Sequence, residues 1–340
     1  MILVTGGTGL VGSHILLDLA LTNTKVRALY RTKSKLEEVK KIFSYYIGNS
    51  ETVFNKIEWV LADILDIPAL ELVFKDVDYV YHAAAFISFD PKDFDLLQKT
   101  NVEGTANIVN LCIAHGIKKL CYVSTIGTIG PSLPGKKATE ENEWTGQNAN
   151  VYALTKHAAE MEVWRGSQEN LDIVIVNPGV IIGPGFWETG SGTLFKTAKN
   201  LKKHYPPGGS GFVSVTDVSK VMLGLMQSTI TGERFILVSE NLSFKDIMSK
   251  LASVMGKKPP TKKLLFWQLK VLRYLDFISH LCTGNKRRIT SNTIYGLRHQ
   301  EAYNCDKIKS SLQLEFQPLD KSIAFSTKKF ISETETVEPS

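Results

Sequence analysis

Tyr152-Ala153-Leu154-Thr155-Lys156 sets a phenol and an ammonium four residues apart. On a helix that spacing stacks both side chains on one face. An ammonium beside a phenol favours the phenolate and lowers its pKa, so the pair can pass a proton near neutral pH. Ser124-Thr125 adds two hydroxyls at the end of an apolar run. A third element, Thr5-Gly6-Gly7-Thr8-Gly9-Leu10-Val11-Gly12, fits a phosphate cradle. Gly6 permits a tight turn, Gly9 lets backbone approach a pyrophosphate, and Gly12 allows close helix–strand packing. A helix opening there aims free N–H groups and its positive end at phosphates. Gly6, Thr8, Gly9, Leu10, Val11 and Gly12 are therefore candidate dinucleotide contacts. Folds that favour NAD usually end the second strand with an acid for the ribose 2′-OH. Here that strand ends Ala28-Leu29-Tyr30-Arg31 with no carboxylate, and Arg31 could pair a 2′-phosphate. NADP(H) is accordingly expected over NAD(H), the competing reading being that Arg31 stacks on adenine or faces solvent.

These residues need a scaffold, and the periodicity supplies one. Short β-branched runs at Met1–Thr5, Lys25–Tyr30, Ile57–Leu61, Tyr79–His82, Lys119–Ser124 and Asp172–Asn177 alternate with helical patterns at Leu10–Leu21, Ser34–Ile47, Pro68–Val73, Phe94–His115 and Val151–Gln168. That alternation predicts an α/β doubly wound parallel sheet, a Rossmann fold of about six strands. Continuous apolar runs such as Ile173-Val174-Ile175-Val176 suit a sheet covered on both faces. Ligands bind outside the carboxyl ends of such strands, where Ser124 and Thr125 should lie. After Asn177 the chain turns rich in Gly and Pro. Short strands are expected at Phe212–Val215 and Arg234–Val238, a helix at Thr216–Gln227, and helical structure from Ser243 to about Leu281. Residues 1–178 with about 212–240 would form the dinucleotide domain. Residues about 179–211 and 241–331 would form a smaller, partly helical substrate domain, and 332–340 a frayed polar tail.

The composition bounds the partners. With 340 residues, 43% hydrophobic and 22% charged, the chain is an ordinary globular protein. A net charge of +6 is too mild to imply nucleic acid, and no two of the 7 histidines have zinc spacing. Cys112 and Cys121 sit in apolar runs and read as reduced core residues. The first strand starts at Met1, which leaves no room for a leader, so a cytoplasmic protein is expected. The longest apolar stretch, Leu264 to Leu281, is interrupted by Gln268, Lys270, Arg273, Asp276 and His280 and does not span a bilayer. It should wall a substrate pocket. The competing reading is an amphipathic helix on a membrane with Lys262, Lys263, Arg287 and Arg288 at the headgroups, and membrane contact is not expected. Residues 241–310 carry 14 Lys/Arg against 4 Asp/Glu, which could serve an anionic substrate, an anionic membrane or simply solvent.

Together TGGTGLVG, Ser124-Thr125 and YALTK resemble the extended branch of the short-chain dehydrogenase/reductase superfamily. Asp63 in Ala62-Asp63-Ile64, His82-Ala83-Ala84-Ala85, Asn101 in TNVEGT, Asn177-Pro178-Gly179 and Gly183-Pro184-Gly185 match as well. The resemblance runs from Met1 to about Leu319 and is strongest over the first 185 residues. It implies that Tyr152 is the general acid/base and that Lys156 holds the nicotinamide ribose and depresses the tyrosine pKa. Thr125 would bond the reacting oxygen, and Ser124 would sit beside the nicotinamide. Asp63 and Ile64 would flank the adenine, while Ala83, Ala84, Ala85, Pro178, Gly179 and Val180 would line the cofactor. Asn101 would order the site from its helix, and His82 would pack at a strand end. A homodimer is implied too, its helices at 94–115 and 151–168 pairing with their copies. Leu96, Leu97, Val109 and Trp164 could serve that face or the core.

Departures from the branch's patterns narrow the chemistry. Sugar dehydratases resemble Thr-Asp-Glu at the catalytic hydroxyl, but Thr125 is followed by Ile126-Gly127. Sugar epimerases typically carry an arginine before a Phe-Ile-His-Val-x-Asp-like segment; here Phe212-Val213-Ser214-Val215-Thr216-Asp217 is preceded by Ser210 at that position. Losing such a phosphate contact costs on the order of 1.5–3 kcal/mol, although basic residues of the C-terminal part could substitute. The leading reading is an NAD(P)(H)-dependent oxidoreductase acting on a carbonyl or secondary alcohol of an apolar or amphipathic small molecule. The alternatives are a nucleotide-sugar epimerase with tightly bound NAD, and a dinucleotide-sensing or scaffold protein without catalysis.

Overall fold

The apolar runs assemble into a seven-stranded parallel sheet. A computed structural model of the chain describes residues 1–22, 24–200, 203–283 and 291–335. In chain order the strands are β1 (Ile2–Thr5), β2 (Val26–Tyr30), β3 (Ile57–Leu61), β4 (Tyr79–His82), β5 (Lys119–Val123), β6 (Ile173–Pro178), β7 (Val180–Ile182), β8 (His204–Tyr205), β9 (Gly209–Ser214), β10 (Glu233–Leu237), β11 (Glu240–Ser243) and β12 (Lys262–Lys263). The main sheet runs β10-β6-β5-β4-β1-β2-β3. Its order reverses between β1 and β4, and the crevice beyond their carboxyl ends is the expected ligand position. β10 is the strand expected at Arg234–Val238, and it makes the sheet seven-stranded rather than six.

Alternation along each strand divides the core in two. Val4, Tyr81, Cys121, Val174 and Val176 face one layer, with helices Leu10–Leu21 and Val215–Gln227. Leu3, Val80, Leu120, Tyr122, Ile173 and Ile175 face the other, with helices Gly104–Ala114 and Val151–Gln168. Cys112 and Cys121 are free and buried within these layers. Leu97 and Val109 belong to the chain's own core rather than to an outer face, whereas Leu96 is exposed.

The single helix expected over Phe94–His115 is three segments, Phe94–Leu97, a π-helical Gln98–Glu103 and Gly104–Ala114. The wide turn brings Asn101 onto the Phe86 backbone, while Gly104 lies where a Cβ would overlap Ile64. β9 leaves the main sheet and joins β7 and β11 in a three-stranded sheet instead. Trp187, Phe195, Phe212, Ile247, Leu251, Ile323 and Phe330 fill the core beneath it. The C-terminal helix runs Leu319–Glu335 and buries Phe330, so 332–335 are helical and not frayed. Arg287, Arg288 and residues 336–340 lie outside the described residues.

Candidate functional site

The loop after β1 fits a dinucleotide by exclusion of side chains. Gly6 has φ +68°, and its missing Cβ leaves room for the backbone of Ala83 and Ala84 after β4. Gly12 abuts the Gly6 carbonyl so closely that any side chain would force the turn open. The helix from Leu10 begins at Gly9, whose backbone is extended and offers no side-chain cap. Its first N–H groups are therefore left without a side-chain cap, the arrangement in which a helix start accepts a phosphate. Beneath them Thr5 Oγ1 contacts His82 Nδ1 at 2.6 Å and accepts from Ala84 N at 3.3 Å. His82 Nε2 meets Thr105 Oγ1 at 2.9 Å, and burial drives this imidazole's pKa down to about 3. His82 thus ties β1, β4 and the next helix together as a neutral ring.

At the far end of β2, Arg31 is exposed and pairs with Asp63 at 3.5 Å. Asp63 also accepts from Leu65 N at 3.0 Å, which fixes its carboxylate beyond β3. The Ile64 side chain is buried against Gly104. Pro178, Gly179 and Val180 carry the chain from the main sheet to the small one, and Gly179 lies against the Gly211 carbonyl.

Tyr152 and Lys156 share a face of the Val151–Gln168 helix, which Asn150 caps through Ala153 N at 2.8 Å. Lys156 is buried and donates to Tyr122 OH at 2.5 Å and to the Val123 carbonyl at 2.7 Å. Burial pulls its pKa down to about 7, against the Glu160 carboxylate one turn on. The ammonium is spent on Tyr122 and Val123, and burial pushes the Tyr152 phenol up to about 12. Phe89 sits edge-on to the Tyr152 ring at 5.8 Å.

Thr125 caps the short turn after β5 by accepting from Gly127 N at 3.2 Å, which leaves its own proton to donate. Gly127 is wedged between the Thr125 side chain and Ala153, so the hydroxyl turn packs on the first turn of the tyrosine helix. Asn101 Nδ2 reaches Thr155 Oγ1 on that helix at 3.2 Å. Ser124 does not open onto the crevice. It is buried, and its hydroxyl donates to Glu160 Oε2 at 2.6 Å.

The sequence reading missed that carboxylate. Glu160 also accepts from Thr128 Oγ1 at 2.8 Å and Asn177 Nδ2 at 3.1 Å, and Arg234 pairs with it at 3.2 Å. Asn177 Nδ2 also donates to the Thr125 carbonyl, and the Thr128 hydroxyl, which has one proton to give, lies as close to that carbonyl as to Glu160. The buried acid thereby anchors the backbone that presents Thr125. Tyr152, Lys156 and Glu160 recur every four residues, a signal that reaches one turn beyond the expected pair. A separate cavity of about 450 Å³ opens on the other flank of this helix, between Trp144, His157, Met161 and Arg234.

Residues 2–237 match the NAD dependent epimerase/dehydratase family. A putative dihydroflavonol 4-reductase of Synechocystis sp. is 30% identical over 273 residues, 78% of this chain and 75% of that protein. Sterol demethylase protein B of Methylococcus capsulatus is 28% identical over 265 residues, 76% of this chain and 75% of its own. The crystal structure of gox2253 superposes with a TM-score of 0.81 at 26% identity, covering 98% of both chains. UDP-glucose 4-epimerase of Thermotoga maritima shares the fold with a TM-score of 0.75 at 19% identity, covering 98% of this chain and 99% of that one. The chain belongs to the NAD dependent epimerase/dehydratase family, within the extended short-chain dehydrogenase/reductase superfamily.

Proposed function

We propose that this NAD(P)-dependent oxidoreductase interconverts a carbonyl and a secondary alcohol, with NADP(H) as its preferred partner. The observation that carries the reading is the packing of the Thr125 turn on the helix turn bearing Tyr152, beside the buried Lys156. A bound nicotinamide dinucleotide supplies hydride at this site. Tyr152, whose phenol stays protonated well past neutral pH, donates the proton to the oxygen. Thr125 donates a second hydrogen bond to the same oxygen, a preorganised arrangement worth several kcal/mol in a dry site. Lys156 holds positive charge beneath the pair, and Gly6, Gly9, Gly12 and the first turn of their helix hold the phosphates. Ala83 to Ala85, Asp63, and the Pro178–Val180 crossover line the rest of the dinucleotide's path.

Exposed Phe89, edge-on to Tyr152, and exposed Ile87 two residues before it favour an apolar or amphipathic substrate. Relatives named dihydroflavonol 4-reductase and cinnamoyl-CoA reductase point the same way. Epimerisation with retained NAD is the second reading, favoured by the full-length likeness to UDP-glucose 4-epimerase. Ser210 at the expected arginine position weighs against it. We further propose a homodimer, in which exposed Leu96, Leu154 and Met161 meet their copies.

Denaturing the purified protein and weighing the released nucleotide separates the two readings. Stoichiometric NAD would support the epimerase; empty protein or traces of NADP(H) support the exchanging reductase. For Arg31→Ala we expect the KM for NADPH to rise about tenfold, the low end for a charge-assisted contact at an exposed side chain, with NADH kinetics unchanged. An equal effect on both cofactors would remove Arg31 as the reader of the 2′-phosphate.

A further inference from the structure

The Phe266–Thr283 helix turns a run of large apolar side chains away from the protein. Among the described side chains of Phe266–Ser279, Leu269 alone is buried, and it marks the face turned to the protein. At about 100° per residue, Lys270, Arg273 and Asp276 lie within about 100° of Leu269, together with Phe266, Leu272 and Phe277. Trp267, Val271, Tyr274, Leu275 and Ile278 lie about 140–240° round the helix from it. Those five are 61%, 48%, 64%, 54% and 39% exposed. A surface helix normally turns its polar stripe outward and its apolar stripe inward. Here the apolar stripe faces solvent. The segment therefore does not wall a pocket through these side chains, contrary to the expectation from sequence.

Charge surrounds one end of the stripe. β12 (Lys262–Lys263) runs into the helix, both lysines exposed, and pairs with β8 beside exposed Lys203. Leu265, 53% exposed, continues the apolar surface back to these lysines. Lys270 flanks the stripe with its ammonium 4.6 Å from the Phe266 ring centroid. The helix is about 27 Å long at 1.5 Å per residue, yet no helix among the described residues is long and apolar enough to cross a membrane.

We infer that this helix lies flat on an anionic bilayer surface, its Trp267–Ile278 stripe at the acyl boundary and Lys262, Lys263 and Lys270 at the headgroups. Tryptophan and tyrosine favour that interface, since each offers an apolar ring and a polar handle. Exposed basic side chains near an anionic leaflet add to the apolar burial. A twofold contact between two copies of the stripe is disfavoured: Asp276 lies on the protein-facing side, so no carboxylate of the helix answers the lysine rim. None of the side chains of the stripe belongs to the candidate active site, so the proposal stands whichever reaction the enzyme performs.

The full-length protein should co-sediment with vesicles of phosphatidylcholine mixed with phosphatidylglycerol, and less with phosphatidylcholine alone. Lys262→Glu with Lys263→Glu should cut the partition coefficient for mixed vesicles about 25-fold or more, with little change on neutral ones. Trp267→Ser with Leu275→Ser should abolish binding to both. All four side chains are exposed, so the variants should match the parent by circular dichroism and thermal unfolding. Failure to bind mixed vesicles at low salt would overturn the proposal, as would binding that the Trp267→Ser, Leu275→Ser variant retains. An oligomer by light scattering that this variant dissociates, without vesicle binding, would assign the stripe to a second copy instead.

Discussion

Tyr152→Phe is expected to lower kcat/KM for carbonyl reduction by about 10²–10⁴-fold, the range of a lost general acid. The ring keeps its edge contact with Phe89, and Lys156 keeps Tyr122 and the Val123 carbonyl, so the fold and the dinucleotide crevice should survive. Dinucleotide affinity, read by quenching or calorimetry, should be unchanged. Parent-like turnover in this variant would remove Tyr152 from the chemistry, and a protein that keeps its biological role without turnover would be a sensor or scaffold. The pH profile gives an independent handle. Reduction uses a protonated Tyr152 and a charged Lys156. Burial keeps the phenol protonated to about 12, but lets the ammonium lose its proton as pH rises through about 7. In the parent enzyme kcat/KM for reduction should therefore fall on the alkaline side of about pH 7, the limb belonging to Lys156. A limb near the tyrosine value would assign the loss to Tyr152 instead.

How much of this was legible in the residues follows from what each signal encodes. Strand alternation and the glycine spacing specify local geometry, and β1 to β6 and the Leu10–Leu21 helix fall within a residue or so of expectation. The Tyr152–Lys156 register is likewise local. The contact of Lys156 with Tyr122 was not legible, because Tyr122 comes from a neighbouring strand, and alternation says which layer Tyr122 faces but not what meets it there. Ser124 illustrates the same limit. Its position at a strand end was readable, while its engagement with Glu160 depends on a helix packed across the sheet. The Phe266–Thr283 helix shows a different one. Periodicity gives the width of an apolar stripe, but which way it turns is decided by the single anchor at Leu269. The strand at Glu233–Leu237 was readable, but that β9 would leave it for a separate sheet with β7 depends on the crossover through Pro178–Val180, a tertiary event.

Glu160→Ala is expected to destabilise the protein by about 3 kcal/mol or more. Removing one partner of a buried ion pair costs about 3–5 kcal/mol, because the other charge stays behind unpaired. Arg234 is 20% exposed and Glu160 fully buried. Arg234 also keeps the Glu140 carbonyl, which puts its own share at the low end. Ser124, Thr128 and Asn177 Nδ2 each lose an acceptor as well, and each buried donor left bare adds to the loss. Urea unfolding reads the effect as a lower midpoint at unchanged slope. A change under about 1 kcal/mol would mean that Arg234 and the hydroxyls find other partners. The consequence for the site is separable through Glu160→Gln, which keeps the shape and an amide oxygen for the hydroxyls. It removes the negative charge that raises the Lys156 pKa. Lys156 then loses its proton at lower pH, and the alkaline limb of kcat/KM should move down by about one unit. Arg234 and Lys156 draw on the same buried carboxylate, so one substitution tests both the strut under Thr125 and the charge beneath Tyr152. An unmoved limb in a folded Glu160→Gln enzyme would confine Glu160 to the strut.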